Sequence, residues 1–252
     1  MVTSAELTVD LGCSPAHLSE VKTQYRKIRN TFRFLLAHLV DYRHHHHRQG
    51  HLTAVDRFLL AELRALRQAA DQLIDHWQYP KLLQQIMFLV TVTLSGFYFE
   101  AAKPILYADA VNSQRRRQIQ TTLFYLAIGL LSVVKPILVF TSEEVYHHLP
   151  PFPGKLASVH QVRSFKWRWS PMSDRERADW HQVLALKLDL NAALDAARQR
   201  HLVDDRDQAC VAFWLKKPLH TEIDPAVLAA VLRVSIVQPQ HFDDSFCEYQ
   251  SS

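Results

Sequence analysis

Residues 18–39 carry two periodicities at once, and together they leave little choice of backbone. Leu18, Val21, Tyr25, Ile28, Phe32, Leu35 and Leu39 recur three or four positions apart, the spacing of one face of an α-helix. Lys22, Arg26, Arg29 and Arg33 recur at four, three and four, which stacks them as a second row along the edge of that face. Cations at helical pitch repel one another, and a purely structural helix would intersperse acids. With Lys27 and Asn30 beside it, the row is either a track for a polyanion or a solvated face. The pattern admits both.

The rest of the chain reads as helices. Glycine is scarce, at five of 252 residues, which argues against a Gly-rich phosphate loop; no such nucleotide-binding run is present. A hydrophobic content of 48% with 21% charged residues suits a soluble chain with an ample core. The net charge of +4 is placed unevenly: residues 1–149 hold 16 Lys/Arg against 12 Asp/Glu, and residues 150–252 hold 13 of each. The excess accompanies the basic helix, as a nucleic-acid partner would require. Cys13, Cys210 and Cys247 lie far apart with no Cys-x-x-Cys, so no zinc knuckle or redox pair is written here, and reduced thiols in the cytoplasm are expected. No signal pattern opens the chain. Ile86–Phe99, the most apolar run, is expected to be a buried helix, too short to span a bilayer.

In chain order, Pro15 is a favourable first-turn residue, so helix one is expected from there to about Asp41. His44, His45, His46 and His47 follow, a solvated loop, an RNA contact or, with ligands from elsewhere, a metal site. Thr53 with Asp56 forms a capping box for helix two. Pro80 opens a third helix with little polar surface, in which Phe97, Tyr98 and Phe99 wedge against neighbours or line a small-molecule pocket. Asn112 and Ser113 cap a fourth helix whose first turn holds Arg115, Arg116 and Arg117. Cations there oppose the macrodipole, so the turn is either a phosphate site or a brace for packing. Thr141 with Glu144 reads as a capping box for a short helix ending before Pro150. Residues 151–171 read as a linker, in which Lys166-Trp167-Arg168-Trp169 alternates cation and aromatic, a pattern that stacks on bases or pins the linker. Ser173 with Glu176 caps a helix to about His201. Strand-like runs at Ala209–Leu215 and Arg233–Val237 enclose a helix at Pro225–Leu232.

Four ordered segments resemble one family. Gln24–Leu39 is similar to the opening of the anticodon-binding helical domain of isoleucyl-tRNA synthetase, a class I aminoacyl-tRNA synthetase. Ser113-Gln114-Arg115-Arg116-Arg117-Gln118 resembles its Ser-x-x-Arg-Arg stretch. Pro136-Ile137-Leu138-Val139-Phe140-Thr141-Ser142-Glu143-Glu144-Val145-Tyr146 resembles its Pro-Ile-Leu-Pro-Phe-Thr-x-Glu-Glu-Ile-Trp signature, and Ser158-Val159-His160 stands where the family has Ser-Val-His.

The resemblance implies a mainly α fold: an anticodon-binding bundle over 1–150, a linker over 151–171, and over 172–252 a long helix with a small α/β, strand–helix–strand tail. It also implies a tRNA partner, isoleucine tRNA in particular, with the full synthetase as a further partner and no membrane. The expected RNA contacts are Lys22, Arg26, Lys27, Arg29, Asn30 and Arg33, then Arg115, Arg116 and Arg117, then Lys166, Trp167 and Arg168. The His-Ile-Gly-His and Lys-Met-Ser-Lys-Ser signatures that hold ATP in such enzymes are not in this sequence. Glu143 and Glu144, adjacent on a helix, do not face each other. The expectation is a binding protein with no catalytic residues, cofactor or metal; a protein-interaction module or a non-catalytic subunit of a ligase are the alternatives.

Overall fold

The computed structural model describes residues 14–43, 52–162 and 172–200, and in the tail 210–214, 219, 223, 225–232 and 236–240. The chain forms two compact units, Met1–Pro171 and Met172–Ser252. The fold is mainly helical.

Helix α1 spans Pro15–Ala37, with Pro15 at its start and the Ser14 side chain accepting from the His17 N–H at 3.2 Å. It ends at His38, sooner than the expected Asp41; Leu39 and Tyr42 are buried in the turn beyond. Only part of the apolar stripe is buried. Ile28, Phe32 and Leu35 are in the core, while Leu18 and Tyr25 are exposed.

Helix α2 (Ala54–Asp75) opens on the expected capping box. The Asp56 carboxylate accepts from Thr53 N–H at 3.0 Å and from the Thr53 hydroxyl at 2.6 Å. Asp56 is itself buried, and the Tyr98 hydroxyl donates to it at 2.5 Å. Burial pushes this carboxyl upward, against the hydrogen bonds from Thr53 and Tyr98. At the other end of α2 the N–H groups of Trp77 and Gln78 return to the carbonyls of Ile74 and Leu73. That is a Schellman closure with Trp77, at φ 58°, in the left-handed position glycine usually takes.

Three segments then form one rod of 30 residues: α3 (Tyr79–Phe88), a π-helical segment (Leu89–Phe99) and α4 (Glu100–Ala108). In the π segment each N–H reaches back five residues, and a Cβ at Gly96 would meet the Thr91 carbonyl at 3.2 Å. A rod of this length, like α5 (Gln114–Val134), is long and apolar enough to cross a bilayer. Ile86–Phe99, expected to be too short to span a bilayer, is thus part of a longer helical rod, and length does not decide its place. Both helices are instead marked as core by burial: Leu82, Ile86, Phe97 and Tyr98 on the rod, and most of α5.

The pairings set the bundle. Phe34 stacks on Phe99 at 4.2 Å and His38 meets Tyr107 at 5.3 Å, so α1 and the rod run the same way. Phe58 against Phe97 and Asp56 against Tyr98 set α2 opposite to the rod, and α5 packs along α2.

Helix α6 (Val139–His148) starts at Leu138 with no side-chain cap. The capping box expected from Thr141 and Glu144 does not form, because Thr141 lies inside the helix and its hydroxyl shares a 3.2 Å hydrogen bond with Tyr25 of α1. Residues 149–162 cross back and are fastened at several points. Leu156 N–H donates to Tyr146 Oη at 3.0 Å, and Lys135 Nζ to the Val162 carbonyl at 2.5 Å. The Glu143 carboxylate accepts from Ser158 Oγ at 2.9 Å and from Val159 N–H at 3.0 Å, with His147 Nε2 at 3.2 Å.

In the second unit, α7 (Asp174–Gln199) opens on the expected Ser173–Glu176 capping box. The buried Lys187 ammonium donates at 2.6 Å to the Val231 carbonyl in the last turn of α8 (Pro225–Leu232), the end of a helix that favours a cation. The backbones of Cys210–Trp214 (β1) and Ile236–Gln240 (β2) pair in parallel, Cys210 opposite Ile236.

Tyr98→Phe should cost about 1–3 kcal/mol in a denaturant titration, because it strips a donor from a buried carboxylate. A second expectation concerns Glu143. Burial pushes its carboxyl up, but the Ser158 and Val159 hydrogen bonds and the nearby histidines outweigh that and hold it below its ordinary value. Its contribution is then full above the unfolded carboxylate range and is lost as pH falls through the lower folded value. The Val159 amide resonance should titrate below the usual glutamate range and should cease to do so in Glu143→Gln.

Candidate nucleic-acid interface

The buried face of α1 fixes where its other side chains go. With Ile28, Thr31, Phe32 and Leu35 turned inward, Lys22, Arg26, Lys27, Arg29, Asn30 and Arg33 are all exposed. Among the described residues, none of these five cations forms an ion pair.

Helix α1 is a ridge between two grooves. On its α6 side a groove of about 460 Å³ has Arg29 and Arg33 on one wall, Glu144 and His148 on the other, and Phe32 and Val145 among its apolar lining. Val40, 85% exposed, also lines this groove, and Phe140, 90% exposed, precedes its Thr141 wall. On the rod side a groove of about 400 Å³ is lined by Lys27 and Asn30 from α1 and by Ser95, Glu100 and Lys103 across from them. Arg29 and Arg33 of the cation row thus face the α6 side, while Lys27 and Asn30, which stand beside the row in the sequence, face the rod.

The arginines of α5 are differently placed. Ser113 is the N-cap residue, yet its side chain makes no cap bond; its hydroxyl donates instead to Asp109 at 2.8 Å. Arg115 donates to both oxygens of the same carboxylate, at 2.9 and 3.2 Å. Hydrogen bonds from Arg115 and Ser113 hold Asp109 below the usual carboxylate range. Arg116, only 17% exposed, pairs with Asp41 at 3.3 Å, and Gln120 ties that carboxylate (2.7 Å) and the His38 carbonyl (3.0 Å) into the same junction. Burial, and next the Arg116 charge, lower the His38 imidazole pKa. Arg115 thus braces the end of α4 to α5, and Arg116 braces the turn after α1 to α5; Arg117 is half-buried.

Lys166, Trp167 and Arg168 lie outside the described residues, as do the four consecutive histidines. Among the described residues no three His, Cys, Asp or Glu gather into a metal-binding group. Ser95 and Lys103, which face α1 across a groove, gave no signal in the sequence, because their place depends on how the rod packs.

A profile of the anticodon-binding domain of tRNA ligases matches residues 56–212. The chain belongs to this family. The match to the anticodon-binding domain opens at the buried Asp56 and includes the Arg115–Arg117 turn and α6, while α1 precedes it. The sequence is also similar to curated isoleucine–tRNA ligases. That of Mesoplasma florum is 34% identical over 215 residues, 85% of this chain and 24% of the ligase. Those of Staphylococcus haemolyticus and Geobacillus kaustophilus are 34% and 32% identical, over 80% and 85% of this chain. The chain spans about a quarter of the length of these relatives. The resemblance drawn from the motifs is therefore to the right family.

The contrast between the two arginine sets gives an expectation. Arg116→Ala should lower stability by about 1–2 kcal/mol, since it leaves Asp41 without its cation. Arg29→Ala and Arg33→Ala should each stay within about 0.5 kcal/mol. Denaturant titration of the three variants checks it.

Proposed function

We propose that this chain binds tRNA, isoleucine tRNA in particular, along α1, without aminoacylating it. The observation that carries this reading is the set of five exposed α1 cations with no ion pair among the described residues, in a chain of the anticodon-binding domain family. Side chains that answer no internal charge are available to phosphates, and the gain comes from counterions released by the RNA. Lys22, Arg26, Arg29 and Arg33 hold the backbone; Arg117 adds to it beside the internally paired Arg115 and Arg116, and Lys166, Trp167 and Arg168 supply a cation–aromatic contact. The same reading takes 1–150 as the binding bundle, 151–171 as the linker and 172–252 as a long helix with an α/β strand–helix–strand subdomain. It places the protein in the cytoplasm with the translation apparatus.

A second reading is favoured by Phe140 and Val40, large apolar side chains left exposed near the Arg29–Arg33 groove. They fit a protein contact, with the full isoleucine–tRNA ligase as the partner.

Filter binding of the purified chain to isoleucine tRNA and an unrelated tRNA, over a salt series, tests both. Arg26→Glu with Arg29→Glu should weaken tRNA binding at least tenfold and flatten the log K–log salt slope by roughly 1.4–1.8, the contribution of two phosphate contacts. Affinity and slope unchanged by the double reversal would sink the α1 track, and binding to the ligase that ignores both salt and the reversals would favour the second reading.

A further inference from the structure

The groove between α1 and the π segment holds more chemistry than a basic track needs. Thr91, Ser95, Phe99 and Lys103 line it at intervals of four, a row that the wider π turn helps keep on one side of the rod. Across from them stand Lys27, Asn30 and Thr31. Most polar groups here are satisfied internally: the Thr31 hydroxyl by the Lys27 carbonyl at 3.1 Å, that of Thr91 by the Met87 carbonyl at 2.8 Å, and Lys103 by Glu100 at 2.6 Å. Three are not. The Lys27 ammonium, the Asn30 amide and the Ser95 hydroxyl have no internal hydrogen bond or ion pair among the described residues. Ser95 does not make the bond to the carbonyl four residues back that helical Ser and Thr commonly make. An ammonium, an amide and a hydroxyl therefore face one concave space of about 400 Å³, whose remaining wall is largely apolar and includes Phe34 and Phe99.

We propose that this groove receives one unpaired nucleotide of the bound RNA, its phosphate on Lys27 and the polar edge of its base between Asn30 and Ser95. The inference rests on the tRNA-binding reading and names the site at which it becomes selective. An asparagine amide offers a donor and an acceptor side by side, the arrangement that a base edge presents in return. RNA is read through such unstacked bases, with charge supplying affinity and edges supplying choice. Neither half of the ligand suffices. A bare phosphate offers no base edge to Asn30 and Ser95, and a nucleoside forgoes the ammonium.

The test is a titration of the ¹⁵N-labelled full chain with nucleoside 5′-monophosphates, nucleosides and inorganic phosphate, followed at the Asn30 and Ser95 amides. Ser95→Trp, at an exposed position, fills the groove; Asn30→Ala removes the amide with minimal disturbance. Monophosphates should move both resonances, and each variant should weaken them about tenfold, the worth of one base-edge pair. Each variant should also weaken tRNA binding with the salt slope kept, since the other α1 cations are untouched. Inorganic phosphate acting as strongly as the monophosphates would overturn the proposal, as would unchanged monophosphate binding in both variants. Either result beside salt-sensitive tRNA binding by the wild type removes the groove and keeps the tRNA reading. Monophosphate binding that both variants lose, without tRNA binding at any salt, removes the tRNA reading and keeps the groove as a nucleotide site.

Discussion

A buried carboxylate sets the frame of the first unit. Asp56 lies at the third position of α2, where it closes the capping box with Thr53, and it also receives the Tyr98 hydroxyl from the π segment. A carboxyl group this far from water is tolerated only when its hydrogen bonds are filled, so the start of α2 and the middle of the rod are fixed to one another. With Tyr98 held, Phe97 falls against Phe58 and Phe99 against Phe34. The Phe34–Phe99 stack then seats α1 on the rod, and the groove that both rings line takes its shape from that seating.

Legibility in the sequence followed the range of the interactions. The capping boxes at Thr53 and Ser173 were readable because every atom involved lies within four residues. The α1 stripe was readable as a helix but overstated as a core, since periodicity says which residues share a face and not whether anything covers it. Leu18 and Tyr25 share the face and remain exposed. Thr141 carried a local capping signal that lost to Tyr25, 116 positions away. The π segment left no signature, because its few polar residues, Thr91, Thr93 and Ser95, are outnumbered by apolar ones and mark no change of turn. Arg116 behaved likewise: its partner Asp41 is 75 residues distant, and the first-turn pattern alone admitted a phosphate as readily as a carboxylate.

The cations of this bundle divide by whether a carboxylate answers them. Arg115, Arg116 and Lys103 are answered, and Lys135 and Lys155 cap carbonyls of the crossover at the cost of a lowered pKa from burial. These groups belong to the fold. The α1 set is unanswered among the described residues. The candidate interface is thus marked less by how many basic residues a segment holds than by which of them the rest of the protein leaves alone.

In α1 the two sets interleave along one helix without sharing a position: Ile28, Thr31, Phe32 and Leu35 face inward, while Arg26, Lys27, Arg29, Asn30 and Arg33 face outward. Mutation can therefore sample the outward set with little consequence for folding, because exposed positions far from caps and cores seldom change stability by much. Affinity for a ligand can drift, sharpen or switch partner while the bundle beneath keeps its packing. The same helix that ties the fold together is free to be rewritten on its other side.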